Sequence, residues 1–233
     1  MKKIKWISYV LIFISAFTVV YQTNQRSVEN YVPSVATANA QEIVPDVKPV
    51  GVVANPEFKM EEARSLGDPN APIRMFVFSS LSCSHCSSFH TDVLPVIEEE
   101  YVNNGQVYMT YIDFPFQTPA MAGSMLARCV PPEHYFSFLN LLFKNQSKWA
   151  FKGNAVEILI EYASTEGLSK ADVNKCLSNA KLRDQIVSDR DSYMKKYNVT
   201  GTPTVALIKG EETKVISGSS KSKIKSAIEG MLK

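Results

Sequence analysis

Cys83 and Cys86 stand with only Ser84 and His85 between them, at the junction of two stretches of different pattern. Ahead of them Ile73-Arg74-Met75-Phe76-Val77-Phe78 is an apolar run of strand length, and behind them Ser87 to about Tyr101 is amphipathic at helical spacing. The chain therefore predicts a buried strand, a short turn, and a helix whose first turn holds both cysteines. A helix N-terminus carries unpaired backbone N–H groups and the positive end of the macrodipole. A thiolate placed there is stabilised. Two intervening residues let a disulfide close within one helical turn, with Cys83 the exposed partner and Cys86 the partner one turn in. That is the geometry of a reversible dithiol switch, although half a zinc site has the same spacing.

A second feature far downstream narrows the choice. Val199-Thr200-Gly201-Thr202-Pro203-Thr204-Val205-Ala206-Leu207-Ile208 places a proline directly before a β-branched strand. Proline cannot donate to a sheet ladder and so sits at a strand's first residue. A cis peptide at such a place belongs to a tight turn.

At these residues the chain resembles the thioredoxin superfamily, in which a cis-proline loop lies against the CxxC turn and holds the substrate chain. Leu66-Gly67-Asp68-Pro69-Asn70-Ala71-Pro72-Ile73, the long insert after Phe116 and the returning Thr200-Gly201-Thr202-Pro203 look like the DsbA family of periplasmic thiol oxidases. The likeness runs from about Phe58 to the C-terminus. It implies an α/β, thioredoxin-like fold with a central mixed sheet and an inserted all-helical domain. It makes Cys83 the nucleophile, Cys86 the resolving thiol and His85 the residue that favours the thiolate. Thr202 and the cis-proline Pro203 become the substrate-binding loop. Ser84 stands where the best-known oxidases of the family carry proline, and Thr202 is more usual in the isomerase branch; both bear on redox poise.

The same resemblance implies the chemistry and the partners. A thiolate of a reduced exported protein attacks the Cys83–Cys86 disulfide, and a second one resolves the mixed disulfide. No cofactor is expected beyond that disulfide, and no metal. A membrane quinone-linked thiol oxidase is the expected electron acceptor. A reductase or isomerase on the same fold is the main alternative. An exported metal-binding module using Cys83, His85, Cys86 and His90 is a further one, although His90 reads more simply as a surface or half-buried helix histidine.

The N-terminal region reads as targeting rather than fold. Lys2, Lys3 and Lys5 precede an apolar segment from Trp6 to Tyr21 that suits a signal-peptide core and is short for a spanning helix. Residues 1–21 are thus expected to be a signal peptide or signal anchor, with Ala38-Asn39-Ala40 a candidate cleavage site and the periplasm the destination. From 22 to 57 the polar, proline-containing sequence reads as a flexible linker. It is too plain to be a dimerisation domain, so a monomer is expected. The formal charge of +2 is concentrated at the N-terminus, which leaves a near-neutral body and argues against a nucleic-acid partner.

Within the expected domain, 58–233, Pro95 should kink or interrupt the CxxC helix, and Gln106–Ile112 reads as a strand. From about 118 to 197 helical patterns take over: Met121–Val130, Glu133–Asn145, Val156–Ala163, one opened by the capping sequence Ser169-Lys170-Ala171-Asp172, and Leu182–Tyr197. Tyr135, Phe136 and Phe143 read as core, while His134 and Trp149 carry no assigned role. Strands at Thr204–Ile208 and Lys214–Ser217 and a helix at Lys221–Leu232 complete the frame. Cys129 and Cys176 fall in the helical insert. In an oxidising compartment they read as a structural disulfide, with two separate buried thiols the alternative. A second, non-catalytic disulfide in the helical domain is also what the resemblance implies.

Overall fold

The strand Ile73–Ser79 (β2) is buried along most of its length and lies at the centre of a mixed sheet. A central strand covered on both faces must be apolar throughout, which is why this run lacks a polar face. It pairs in parallel with Val107–Asp113 (β3), in a register that sets Ile73 opposite Val107 and Ser79 opposite Asp113. On its other side it pairs antiparallel with Thr204–Lys209 (β4), Phe78 opposite Thr204, and β4 continues into an antiparallel edge strand, Glu212–Ser217 (β5). A two-residue strand, Ser65–Leu66 (β1), closes the other edge against β3. The computed structural model describes residues 64–233, so the expected export segment, its candidate cleavage site and the linker lie outside the described residues. Among the described residues no helix is long and apolar enough to cross a membrane.

Alternation along β2 divides the core. Ile73, Met75 and Val77 face a large apolar cluster that takes in Phe89, Leu94 and Ile97 after the CxxC turn and Ile224, Ile228 and Met231 near the C-terminus. Phe78 belongs to a smaller cluster with Ile112, Phe114 and Tyr197, against which Phe76 and Tyr193 pack. β1 escaped the sequence reading because two residues carry no periodicity. It is held by the Tyr111 N–H donating to the Arg64 carbonyl at 2.9 Å and by a 2.8 Å hydrogen bond between the Ser65 and Thr110 hydroxyls. Gly67 follows it at φ 97°, where a Cβ would stand 2.7 Å from the Val107 carbonyl oxygen.

After the CxxC turn one helical run, α1, passes through Ser84–Ser88, Phe89–Val93, Leu94–Ile97 and Glu98–Val102. The second and fourth segments are wide turns in which the backbone bonds five residues back. Pro95 stands near the start of the third segment, so the expected interruption takes the form of widened turns on either side of a proline that has no N–H to give.

The helical insert comprises α2 (Thr118–Ala127), α3 (Tyr135–Lys144), α4 (Gln146–Trp149), α5 (Ala155–Thr165), α6 (Lys170–Leu177) and α7 (Ala180–Tyr197). α2 begins earlier than its apolar pattern suggested because Pro119 suits a first turn. Cys129 and Val130 consequently fall beyond its end. Ser169 caps α6 as read, its hydroxyl accepting from the Asp172 N–H at 3.2 Å. α4 was not anticipated, and it gives Trp149 a role. The indole is fully buried, and its Nε1–H donates to the Leu142 carbonyl at 2.9 Å. Helix α8, Lys221–Leu232, packs back on the sheet.

Cys129 and Cys176 are joined across the insert over a sequence separation of 47. Closing a loop of that length stabilises the fold by about 4 kcal/mol on the chain-entropy account. A buried ion cluster also ties the insert to the sheet. Arg128 pairs with Asp113 at the end of β3 at 2.8 Å and with Asp189 of α7 at 3.3 Å.

Candidate active site

β2 ends at Ser79, and the chain turns through Ser80, Leu81 and Ser82, with the Cys83 N–H donating to the Ser80 carbonyl at 3.1 Å. Cys83 is the N-cap of α1. Its carbonyl accepts from the N–H groups of Cys86 at 3.0 Å and Ser87 at 3.1 Å, which starts the helix. Both thiols are free, Cys83 half-buried and Cys86 buried. Two residues thus separate a sulfur with access to solvent from one without it.

β4 runs antiparallel to β2, so its first residue comes to the end of the sheet where the CxxC turn lies. The peptide before it, Thr202–Pro203, is cis. The loop is fixed by the Thr204 hydroxyl donating to the Gly201 carbonyl and by the Gly218 N–H donating to the Pro203 carbonyl, each at 2.8 Å. The Thr202 carbonyl oxygen accepts from the Cys83 thiol at 3.5 Å. The two motifs singled out in the sequence therefore meet.

The environment of Cys86 is unlike that of a free thiol. Burial, the largest influence, pushes it up to about 11, and neighbouring Cys83 acts in the same direction. The hydroxyls of Ser79 and Thr202 and the Ser80 N–H draw it back toward ionisation. The N–H lies 3.5 Å from the sulfur, while neither hydroxyl closes a hydrogen bond in this reduced state. Cys86 is thus held as a thiol among groups able to receive charge.

His85 is exposed beside Cys83, where its side chain makes no hydrogen bond or ion pair with the described residues. His90 corrects the sequence reading, which placed it at the surface or half-buried. It is buried, stacked on Phe143 with ring centroids 3.9 Å apart, and edge-on to Phe89 and Tyr111. Its Nε2 has no partner, and burial pulls its pKa down to about 3, so the imidazole is neutral. With His85 in solvent and His90 under an aromatic ring, the two do not converge on the cysteines. Among the described residues no cluster of three or more His, Cys, Asp or Glu side chains could hold a metal.

Sequence reasoning missed Gln146. From α4 its side-chain amide nitrogen donates to the Leu81 carbonyl at 2.8 Å and to the Cys83 carbonyl at 3.0 Å. No pattern could have flagged a single amide in a four-residue helix 63 positions from its target. Nearby, the Ser87 hydroxyl donates to the Phe143 carbonyl at 2.9 Å, so the insert grips the CxxC turn and the helix after it at two points.

A family model described as thioredoxin matches residues 59–229. Alpha-DsbA1 of Wolbachia pipientis superposes with a TM-score of 0.67 at 28% identity, over 72% of this chain and 89% of that one. The chain belongs to the DsbA-type thioredoxin family. Among other relatives of this DsbA-type chain, a putative protein-disulfide oxidoreductase of Rickettsia bellii is 26% identical, over 74% of this chain and 67% of that protein. A probable disulfide bond formation protein D of Bacillus cereus is 28% identical, over 71% and 78% respectively. Against the Rickettsia relatives the match spans between 50% and 71% of their length. These likenesses make the DsbA-type chain a protein-disulfide oxidoreductase with a thioredoxin-like fold and a helical insertion.

Proposed function

We propose that this chain is an exported thiol oxidase that introduces disulfides into proteins outside the cytoplasm, with Cys83 the reacting sulfur and Cys86 its partner. A single observation supports this division of roles between the sulfurs: Cys83 is accessible, while Cys86 is buried, which pushes its thiol up to about 11. A substrate thiolate attacks the Cys83 sulfur of the Cys83–Cys86 bond. A new sulfur–sulfur bond forms, the Cys83–Cys86 bond breaks, and its electron pair leaves on Cys86, which takes up a proton. Ser80, Ser79 and Thr202 are placed to receive the charge as it develops. A protonated Cys86 is a poor nucleophile, so it is slow to turn back on the mixed disulfide. A second substrate thiolate then attacks the substrate sulfur and releases Cys83. Substrate leaves two electrons oxidised, and the protein is left as the dithiol.

Cys83 leaves as a thiolate at a helix N-terminus, which favours that second step, and the exposed His85 adds a donor beside it. An extended substrate segment fits beside Thr202 and Pro203, with backbone contacts that tolerate many sequences. The two sulfurs supply all the redox chemistry, so the proposal names no cofactor. It completes the cycle with a membrane quinone-linked thiol oxidase, and the protein acts as a monomer in the periplasm.

The deciding experiment is the reduction potential of Cys83–Cys86 in glutathione buffers. Strongly oxidising and reducing members of this chemistry lie near about −120 and about −270 mV, a gap of about 7 kcal/mol. A value near the upper end supports the oxidase. A value near the lower end makes the protein a reductase, with Ser84 and Thr202 the first positions to exchange.

A further inference from the structure

Gln146 belongs to the insert, yet both hydrogens of its side-chain amide are committed to the turn that carries Cys83. The residue is only 4% exposed, and its helix is pinned one turn on by the buried Trp149 indole. The amide nitrogen meets two carbonyls, Leu81 and Cys83, that stand two residues apart and point the same way. Such convergence leaves the donor little freedom. One of those carbonyls belongs to the residue that carries the reactive sulfur and the other stands two residues before it, and each N–H donated by Gln146 opposes the field of the carbonyl it meets.

We infer that Gln146 is a positioning residue that stabilises the reduced, charged form of Cys83 from within the helical insert. The field of a fixed dipole acts on a thiolate and not on a neutral disulfide, so the contact favours the reduced state. Stabilising the reduced state makes the pair a stronger oxidant. The insert thereby contributes to the driving force of the reaction as well as to the shape around it. This inference rests on the proposed exchange at Cys83–Cys86.

The test uses the full chain with Gln146→Leu, which keeps the volume and removes both donors, and Gln146→Glu, which replaces the donor by a carboxylate. The readouts are the equilibrium constant against glutathione, the pH profile of Cys83 alkylation by iodoacetamide, and the circular dichroism of each variant. Gln146→Leu is expected to make the pair about tenfold less oxidising, about 30 mV for two electrons, and to move the alkylation profile to higher pH. Gln146→Glu is expected to do more of both. A folded Gln146→Leu protein with the wild-type equilibrium constant and profile overturns the inference. Should neither variant fold, the wild-type Gln146 side-chain amide resonances serve instead: they should titrate with the Cys83 alkylation midpoint, and their failure to move overturns the inference. A wild-type protein that does not equilibrate with glutathione overturns the redox reading itself, before any variant is made.

Discussion

The Cys83 sulfur lies 3.5 Å from the carbonyl oxygen of Thr202, a residue 119 positions further along the chain. Antiparallel pairing of Phe78 with Thr204 brings the two together, since it sets the end of β2 beside the start of β4. A thiol donates to that oxygen and a thiolate cannot. The contact therefore responds directly to the state of the sulfur.

Replacing Cys83 by serine is expected to abolish exchange with reduced peptides while leaving stability within about 1 kcal/mol of wild type, since the position is half-buried and the side chain changes little. In the native reduced protein iodoacetamide at neutral pH should label Cys83 alone, and Cys86 should react only after unfolding. Mass spectrometry of the labelled chain decides this. Two labels on the native protein would contradict the assigned division between the sulfurs.

Reduction should make stability sensitive to alkali. Unfolding frees Cys86 from burial, so its thiol ionises near the ordinary 9.0 in the unfolded chain and near about 11 in the folded one. Between those values the unfolded state binds fewer protons, and stability falls as pH rises. The disulfide form has no such thiol. Tyr101, raised to about 12 by burial and by its hydrogen bond to Glu229, acts in the same direction in both redox states and cancels in the comparison. Urea midpoints at pH 8 and about 10.5 should thus diverge between the reduced and oxidised proteins; parallel slopes would sink the prediction.

His90 should matter in acid. Its folded pKa is depressed to about 3, so the unfolded chain takes up a proton on it near about 6.5 and the folded chain does not. Stability is lost as pH falls from about 6.5 toward about 3. His90→Phe keeps the ring against Phe143 and removes both the titration and an unpartnered buried nitrogen. The variant should hold its stability better than wild type at pH 4.5, and denaturation at pH 7.5 and 4.5 measures the difference. An unchanged acid slope would place the loss on carboxylates instead.

Arg128→Met should destabilise the fold by about 3–5 kcal/mol, because it leaves the fully buried Asp113 carboxylate without its partner. Adding Asp113→Asn should recover part of that loss. Chemical denaturation of both variants checks the order, and a double variant weaker than the single one would show that Arg128 acts mainly through Asp189.

What the chain disclosed in advance depended on periodicity and punctuation. β2, β3 and α8 stand where alternation, apolar runs and helical spacing placed them, because each covers its length in one recognisable pattern. Ser169 announced α6 by local capping chemistry, and the resemblance to the thioredoxin superfamily implied that Thr202 and Pro203 would lie against the CxxC turn. What stayed hidden depends on three-dimensional neighbours. His90 looked like a surface or half-buried residue until α3 brought Phe143 over it. Arg128 and Asp113 were two charges among many until the end of α2 reached the end of β3. Gln146 sits in a helix too short to leave a signature, and its importance lies wholly in the two carbonyls it faces.

The bond between Cys129 and Cys176 has a bearing on how the molecule comes into being. Four thiols can be joined in three ways, and only one of these leaves Cys83 paired with Cys86. That pair closes locally, while the other must wait until α6 has been made and has packed against the end of α2. Maturation is therefore a sorting problem, in which an early link between Cys83 and Cys129 would trap the reactive sulfur inside its own scaffold. On the function proposed for it, every copy of this protein begins life as a client of the chemistry it will later perform.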